Sequence, residues 1–231
     1  MDAEGYTFKP FKYSSHYWVL KMLSDEKRAL SILDVGTSTG YLGRILKQNG
    51  HCVVGVENHG AWAEAAKPHY DRFYEADIER FEFPFRKEFD CVLFADVLEH
   101  VRDPTAVVRR ALPALKKTGH VIVSVPNIAN IVIRLSLLIG RFDYMERGIL
   151  DRSHLRFFTL RSSRALLQGV GCQIIEITAA PLPIQLVFPV TERGIFIPFH
   201  EAHYSLVRIW KTMFAYQFVL KARPGLSPRV S

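Results

Sequence analysis

A chain of 231 residues, 48% hydrophobic and 23% charged, has globular composition, which excludes a disordered segment, a collagen repeat and a long coiled coil. Its three cysteines, Cys52, Cys91 and Cys172, form no CxxC pair and no HxH or HxxxH spacing occurs, so neither a disulfide framework nor a metal site is expected. The net charge of +7 is uneven: residues 1–105 carry 13 basic and 17 acidic groups, residues 106–231 carry 17 and 6, so the second half is the one expected to meet an anionic ligand or surface.

The opening MDAEGYTFKP lacks the basic end and apolar core of a signal peptide, and no apolar run reaches the ~18 residues of a membrane span. A cytoplasmic protein is the expectation. Tyr6, Tyr13, His16, Tyr17 and Trp18 precede the first strand and suggest a helical lid over residues 1–28. Residues 31–35 then read as a compact apolar strand ending at Gly36, followed by a helix over 41–48 that Asn49-Gly50 stops. Strands are expected at 51–56, 72–76, 89–95 and 121–125, with helices at 60–67 and 104–116, the latter capped by Asp103 with Pro104 in first position. This alternation predicts an α/β fold: a doubly wound, mostly parallel sheet with helices on both faces, its core spanning 29–178.

Beyond Pro126 the pattern loosens. An apolar helix is expected over 128–139 with Arg134 at its edge, a helix over 159–168, and a strand over 172–178. Residues 179–214 form a proline-punctuated apolar insertion, a cap or an interface, containing an amphipathic helix over 202–213. A final antiparallel strand over 215–220, within a closing segment 215–231, completes seven strands.

Ligands of such sheets bind at the carboxyl ends of the strands. Asp34, Glu57, Asp77, Asp96 and Asn127 stand at or just past those ends. The sharpest local pattern is Asp34-Val35-Gly36-Thr37-Ser38-Thr39-Gly40, a strand turning through glycines into a helix whose free N–H groups suit a carboxylate or phosphate. It fits a hydrolase nucleophile elbow with Ser38 as nucleophile, a dinucleotide loop with its middle glycine replaced, or an S-adenosylmethionine loop with the same replacement. Glu57, 23 positions after Asp34, suits a pair of ribose hydroxyls, and Asp77 suits an adenine amino group. A hydrolase needs neither acid, so the S-adenosylmethionine reading is preferred.

From Ile32 to about Thr178 the chain resembles the class I, Rossmann-like S-adenosylmethionine-dependent methyltransferases. ILDVGTSTGYLG, VVGVEN, ADI, FDCVLFADVLEHVRDP and GHVIVSVPN follow the family's motif order, and GRFDYMERGILDRSHLRFFT resembles a bacterial subgroup that modifies glycans, lipids or quinones. The resemblance implies that Asp34 and the backbone of Gly36, Thr37, Ser38 and Gly40 hold the methionine part of the cofactor. It further implies that Glu57 and Asn58 take the ribose, that Asp77 and Ile78 frame the adenine, and that Ala95 and Asp96 lie under the sulfonium. Asp96 reads equally as a cap for residues 97–101.

Methyl transfer to a hydroxyl needs orientation and a base near neutral pKa. His100, just after the fourth strand, and His154, after a loop of glycines and aromatics, are the catalytic candidates, both in regions expected to flank the carboxyl edge where the methyl would project. Asn127, Tyr144, Asp151, Arg152 and Arg156 are the acceptor candidates, the arginines suiting an anionic group. The expected activity is O-methylation of a small-molecule, glycan or lipid-linked acceptor. An RNA acceptor and a catalytically inactive partner protein are the alternatives; no appended RNA-binding domain and no NPPY-type motif supports the first. Peripheral contact with the inner membrane face, through 179–214, and a homodimer are further expectations.

Overall fold

In the computed structural model, which describes residues 8–192 and 194–225, short β-branched runs assemble into one sheet of seven strands in the order β3-β2-β1-β4-β5-β7-β6. In chain order the elements begin with α1 (Ser15–Ser24), β1 (Ser31–Val35), α2 (Tyr41–Gln48), β2 (Cys52–Glu57), α3 (Gly60–Ala66), β3 (Arg72–Glu75), β4 (Phe89–Ala95) and α4 (Pro104–Ala111). They continue with β5 (Leu115–Pro126), α5 (Ile131–Leu138), α6 (Leu160–Gly169), β6 (Cys172–Ala180), α7 (Ile184–Val187), α8 (Ile197–Ile209), α9 (Lys211–Phe214) and β7 (Gln217–Pro224). The first five strands pair in parallel, and β7 runs antiparallel between β5 and β6.

The central strands are buried on both faces, which is why β4 reads as an unbroken apolar run, FDCVLFA. One face packs Phe83, Phe89, Phe94, Val107 and Leu167 beneath α4 and α6, and the other packs Trp18, Met22, Leu42 and Leu46 from α1 and α2. Side-chain caps start the helices where composition placed them: Asp103 accepts from Ala106 N–H ahead of Pro104, and Thr159 and Ser162 form a reciprocal capping box.

Several expected boundaries move. The helix from Pro104 ends at Ala111, because Pro113 lies in a 3-10 turn and β5 already begins at Leu115, opposite Phe89. The amphipathic helix expected over 202–213 is two helices, α8 and α9, broken at Trp210 (φ −139°, ψ 74°). β6 extends to Ala180 and β7 starts at Gln217, so the insertion joins them over residues 181–216. The expected lid helix α1 is a layer of the core, burying Trp18, Val19, Met22 and Leu23; within the same segment Lys9 and His16 reach the cavity described below. Tyr6 of the expected lid lies outside the described residues. α5 buries only Ile133, and its Leu138 and the following Ile139 are 81% and 69% exposed.

Candidate active site

The strand ends converge on one cavity of about 550 Å³. Its wall is built from the turn after β1, the end of β2, the turn after β3, the end of β4 and the β5–β7 edge, and the 147–154 loop closes it.

The β1–α2 turn is shaped by its glycines. Gly36 has φ +78°, and a Cβ there would stand 2.5 Å from Val97 Cγ2; Gly40 has φ +79°, and a Cβ there would stand 2.7 Å from Ala66 Cα. Ser38 between them is also left-handed, at φ +48°. Its N–H donates to Glu57 Oε2 at 2.8 Å, while Asn58 and His59 N–H donate to Oε1 at 2.8 and 3.0 Å. Glu57 is thereby fixed at the cavity wall: Oε1 commits both of its lone pairs to Asn58 and His59, and Oε2 keeps one for a ligand hydroxyl. Ser38 Oγ is buried with no hydrogen-bond partner, so no base activates it as a nucleophile. The hydrolase reading is set aside on that ground.

Gly36, Ser38, Glu57, Asn58, Asp77, Ile78, Ala95 and Asp96 line the cavity. Asp34, Thr37 and Gly40 are not among its lining residues. Asp34 instead accepts from the Tyr70 hydroxyl at 2.6 Å; burial pushes its carboxyl up to about 7, against that bond. Thr37 is buried, its hydroxyl donating to the Ser38 carbonyl at 3.3 Å, and Gly40 is the N-cap of α2. Asp77 Oδ1 accepts from Glu79 N–H at 2.9 Å, a local turn, and Arg110 donates to the carbonyls of Ile78 and Glu79, fixing that wall.

Asp96 adopts φ +57° and is bonded by Lys9 Nζ at 3.1 Å, by Gln217 Nε2 at 2.8 Å and by the Ser124 hydroxyl. Burial opposes its charge, but the Lys9 ammonium and these donors hold the carboxyl well below the usual range. It does not cap the short 3-10 turn of residues 98–100, which has no side-chain cap. Beside it, His16 accepts from Lys9 N–H at 3.0 Å, and burial pushes its imidazole down to about 3.

His100 and His154 do meet: their rings pack edge to face with centroids 4.8 Å apart, both on the cavity. His154 Nδ1 lies 3.0 Å from the Ile149 carbonyl. His100 Nδ1 lies 3.1 Å from Ser153 Oγ, which itself donates to Asp151 Oδ1 at 2.6 Å. Burial lowers both imidazoles, so both are neutral at neutral pH. Glu99, next to His100 in sequence, is buried beside both; burial, with the nearby Asp96 charge, raises its carboxyl well above the usual range, and its Oε2 has no hydrogen-bond partner.

Of the acceptor candidates, Asp151 alone lines the main cavity. Asn127 is fully buried: its amide donates to the Ala215 carbonyl at 2.9 Å and its Oδ1 accepts from Ala129 N–H, so it braces the β5–α5 turn against the β7 approach. Tyr144 and Arg152 face a shallower depression with Phe142, Asp143 and His154, and Arg152 pairs with the exposed Glu146. The Arg156 guanidinium is spent on the Arg102 carbonyl. Sequence reasoning missed Lys9, Glu99, Arg147 and Gln217 on the cavity. Glu99 had a local signal in its place beside His100 and Arg147 in its loop shared with Asp151 and His154, whereas Lys9 and Gln217 arrive from distant segments.

The sequence model of the methyltransferase domain family matches residues 15–177. A ubiquinone biosynthesis O-methyltransferase of Rhodopseudomonas palustris is 29% identical over 185 residues, covering 77% of this chain and 70% of that protein. One of Bradyrhizobium diazoefficiens is 35% identical over 102 residues, 42% of this chain and 40% of its own length. In fold, the chain is similar to a SAM-dependent methyltransferase from Archaeoglobus fulgidus (TM-score 0.63, 15% identity, 90% and 91% of the two chains covered). It is also similar to the magnesium protoporphyrin IX methyltransferase of Synechocystis with bound SAH (TM-score 0.62, 15% identity, 91% and 82% covered).

Proposed function

This chain belongs to the methyltransferase domain family and is an S-adenosylmethionine-dependent methyltransferase, and from that premise we propose that it methylates a hydroxyl oxygen of a small, ring-bearing acceptor. The inactive-partner alternative falls with the family assignment. The reading is carried by one observation: two neutral histidines, the half-buried His100 and the buried His154, meet at the cavity wall beside Glu99 and Asp151. The ubiquinone-pathway relatives favour a hydroxylated ring as acceptor.

The cofactor fits the turn after β1, where Gly36 and Ser38 line the cavity and the lack of a Cβ at Gly36 lets the turn pack against Val97. Gly36, Ser38, Glu57, Asn58, Asp77 and Ile78 are the residues that would hold it. When bound it supplies a methyl group already activated by a sulfonium. The protein's own work is then placement and proton handling. Glu57 Oε2 offers its remaining lone pair to a ribose hydroxyl; the Asp96 carboxylate, kept charged by Lys9, offers a negative charge toward a cation. A neutral imidazole lone pair at the cavity wall takes up the acceptor's hydroxyl proton as the oxygen becomes a nucleophile.

We place the acceptor at a membrane surface. α5 exposes Val132, Leu135 and Leu138, flanked by Arg134 and Arg141. The insertion exposes Ile197, Phe199, Ile209 and Trp210, and Asn130 ties the two segments together through the Ala215 carbonyl. Apolar side chains beside arginines match an anionic bilayer carrying an apolar-tailed acceptor. No helix among the described residues is long and apolar enough to cross a membrane.

Transfer of label from methyl-tritiated S-adenosylmethionine to dihydroxylated aromatic rings with and without isoprenoid tails tests the reading. Label on a ring oxygen supports it; label only on RNA or on amines in a parallel screen overturns it.

A further inference from the structure

Glu99 presents an anomaly that methyl transfer by itself does not explain: a carboxyl buried to 1% exposure whose Oε2 has no hydrogen-bond partner. Burying a carboxyl oxygen without a partner is unfavourable, because the water it gives up is not replaced. The groups around it are two imidazoles. One carboxylate oxygen of Glu99 and one ring nitrogen each of His100 and His154 lie within 4.8 Å of one another.

The hydrogen bonds of the two rings decide which nitrogen carries the lone pair. A carbonyl oxygen only accepts, so His154 Nδ1 donates its hydrogen to Ile149 O. Ser153 has one hydroxyl hydrogen and gives it to the Asp151 carboxylate, so Ser153 Oγ accepts from His100 Nδ1. In both rings the proton is therefore on Nδ1 and the lone pair on Nε2. Imidazoles whose Nδ1–H is anchored on a backbone carbonyl or, through a hydroxyl, on a carboxylate are the arrangement that orients histidine as a metal ligand.

We propose that Glu99, His100 and His154 bind one divalent first-row transition ion, of the manganese-to-zinc range, at the acceptor end of the cavity. Two imidazoles and one carboxylate suit those ions better than magnesium or calcium, which prefer an all-oxygen set. Donors at about 2.0–2.2 Å from one ion stand roughly 3–3.5 Å apart, so binding draws the three together by up to roughly 1.5 Å. The site lies in the wall of the cavity rather than in a closed core, which leaves coordination positions for the acceptor's oxygen and water. A hydroxyl bound there loses its proton to solvent more readily, because the ion stabilises the oxyanion. That catalytic consequence rests on the O-methyl-transfer reading, and the binding itself does not. Both histidines then serve as ligands, and the ion replaces them as the agent that activates the hydroxyl.

The test is cobalt titration of the chelator-treated full chain, read by visible absorption, with zinc competition by calorimetry. One Co²⁺ per chain is expected, displaced by Zn²⁺, and weakened at least about 10-fold in both Glu99→Gln and His154→Asn. Asparagine at 154 can still donate to the Ile149 carbonyl, so it removes the ligand while retaining the structural bond. S-Adenosylhomocysteine binding, measured on each variant, reports whether the fold is intact. Stoichiometric binding lost in His154→Asn with S-adenosylhomocysteine affinity retained establishes the site. Failure of the wild-type chain to bind Co²⁺ or Zn²⁺, or unaltered binding in an intact His154→Asn variant, overturns it. Metal binding without ring O-methylation would refute the acceptor reading alone, and full activity after chelation with no metal bound would refute the ion's part in activating the hydroxyl.

Discussion

The N–H of Ser38 donates to Glu57 Oε2 at 2.8 Å, so the turn after β1 and the end of β2 are locked to each other by one charge-assisted bond. The bond requires the left-handed backbone that Ser38 adopts, and it fixes the carboxylate at the cavity wall. Glu57→Ala is expected to weaken S-adenosylmethionine and S-adenosylhomocysteine binding by about 1–3 kcal/mol, through a lost bond to a ligand hydroxyl and a loosened turn. Calorimetric affinities equal to wild type would remove Glu57 from the ligand set.

Serine at φ +48° carries a strain that glycine does not. The left-handed region is less favourable by roughly 1–2 kcal/mol for a residue with a Cβ, part of which glycine returns as unfolded-state entropy. Ser38→Gly is expected to raise stability by up to about 1 kcal/mol in urea denaturation and to leave cofactor binding at least as tight. A destabilised variant would mean that the Ser38 side chain contributes packing that the backbone argument omits. The same residue should resist fluorophosphonate labelling, since its hydroxyl has no activating partner.

Gly36→Ala addresses the cradle itself. Its Cβ would lie 2.5 Å from Val97 Cγ2 on a backbone already at φ +78°. Loss of S-adenosylhomocysteine binding, with Tm lowered by several degrees, is expected; an alanine variant that binds normally would show that the turn has room the geometry denies.

His120 gives a pH dependence with a definite sign. Burial, followed by the Lys221 ammonium, pushes its imidazole down from 6.5 to about 4, with Glu26 opposing. Between those two values the unfolded chain binds the extra proton and the folded chain does not. Stability contributed by the neutral ring is therefore complete above pH 6.5 and falls as pH drops toward 4, by about 3 kcal/mol at most. His120→Gln should flatten that limb of a urea-midpoint profile. An acid limb identical to wild type would assign the loss to other groups.

The membrane proposal is tested on α5 rather than on Lys211, whose ammonium is engaged by the Ile177 carbonyl at 2.9 Å. Leu138→Asp with Ile139→Asp is expected to reduce flotation with phosphatidylglycerol vesicles at least about fivefold, and salt should weaken the wild type. Wild-type flotation of that double variant, or none by the parent chain, would leave these exposed residues for a contact between protein copies.

What the sequence by itself determined was everything carried by short-range periodicity and turn chemistry. β1, α2 and β4 lie on the residues where the apolar runs and their Gly and Asn stops place them, because a strand buried on both faces and an abrupt turn leave local signatures. The strand-end positions of Glu57, Asp77 and Asp96 follow from the same rule, since a parallel sheet brings its carboxyl ends to one edge. Where each polar side chain points was decided only in three dimensions. Asp34 turns to Tyr70, Asn127 to Ala215 and Arg156 to Arg102, three partners 36, 88 and 54 residues away that no local pattern names. Lys9 and Gln217 come from opposite ends of the chain to hold Asp96. The meeting of Glu99 and His100 with His154 depends on the Leu155 and Arg156 N–H groups bonding the Glu99 carbonyl, at 2.8 and 3.0 Å, which pins a loop of no periodicity against the end of β4. Local sequence sets backbone conformation because its energetics are short-ranged, whereas a buried polar group takes whichever partner the packed chain brings within about 3 Å.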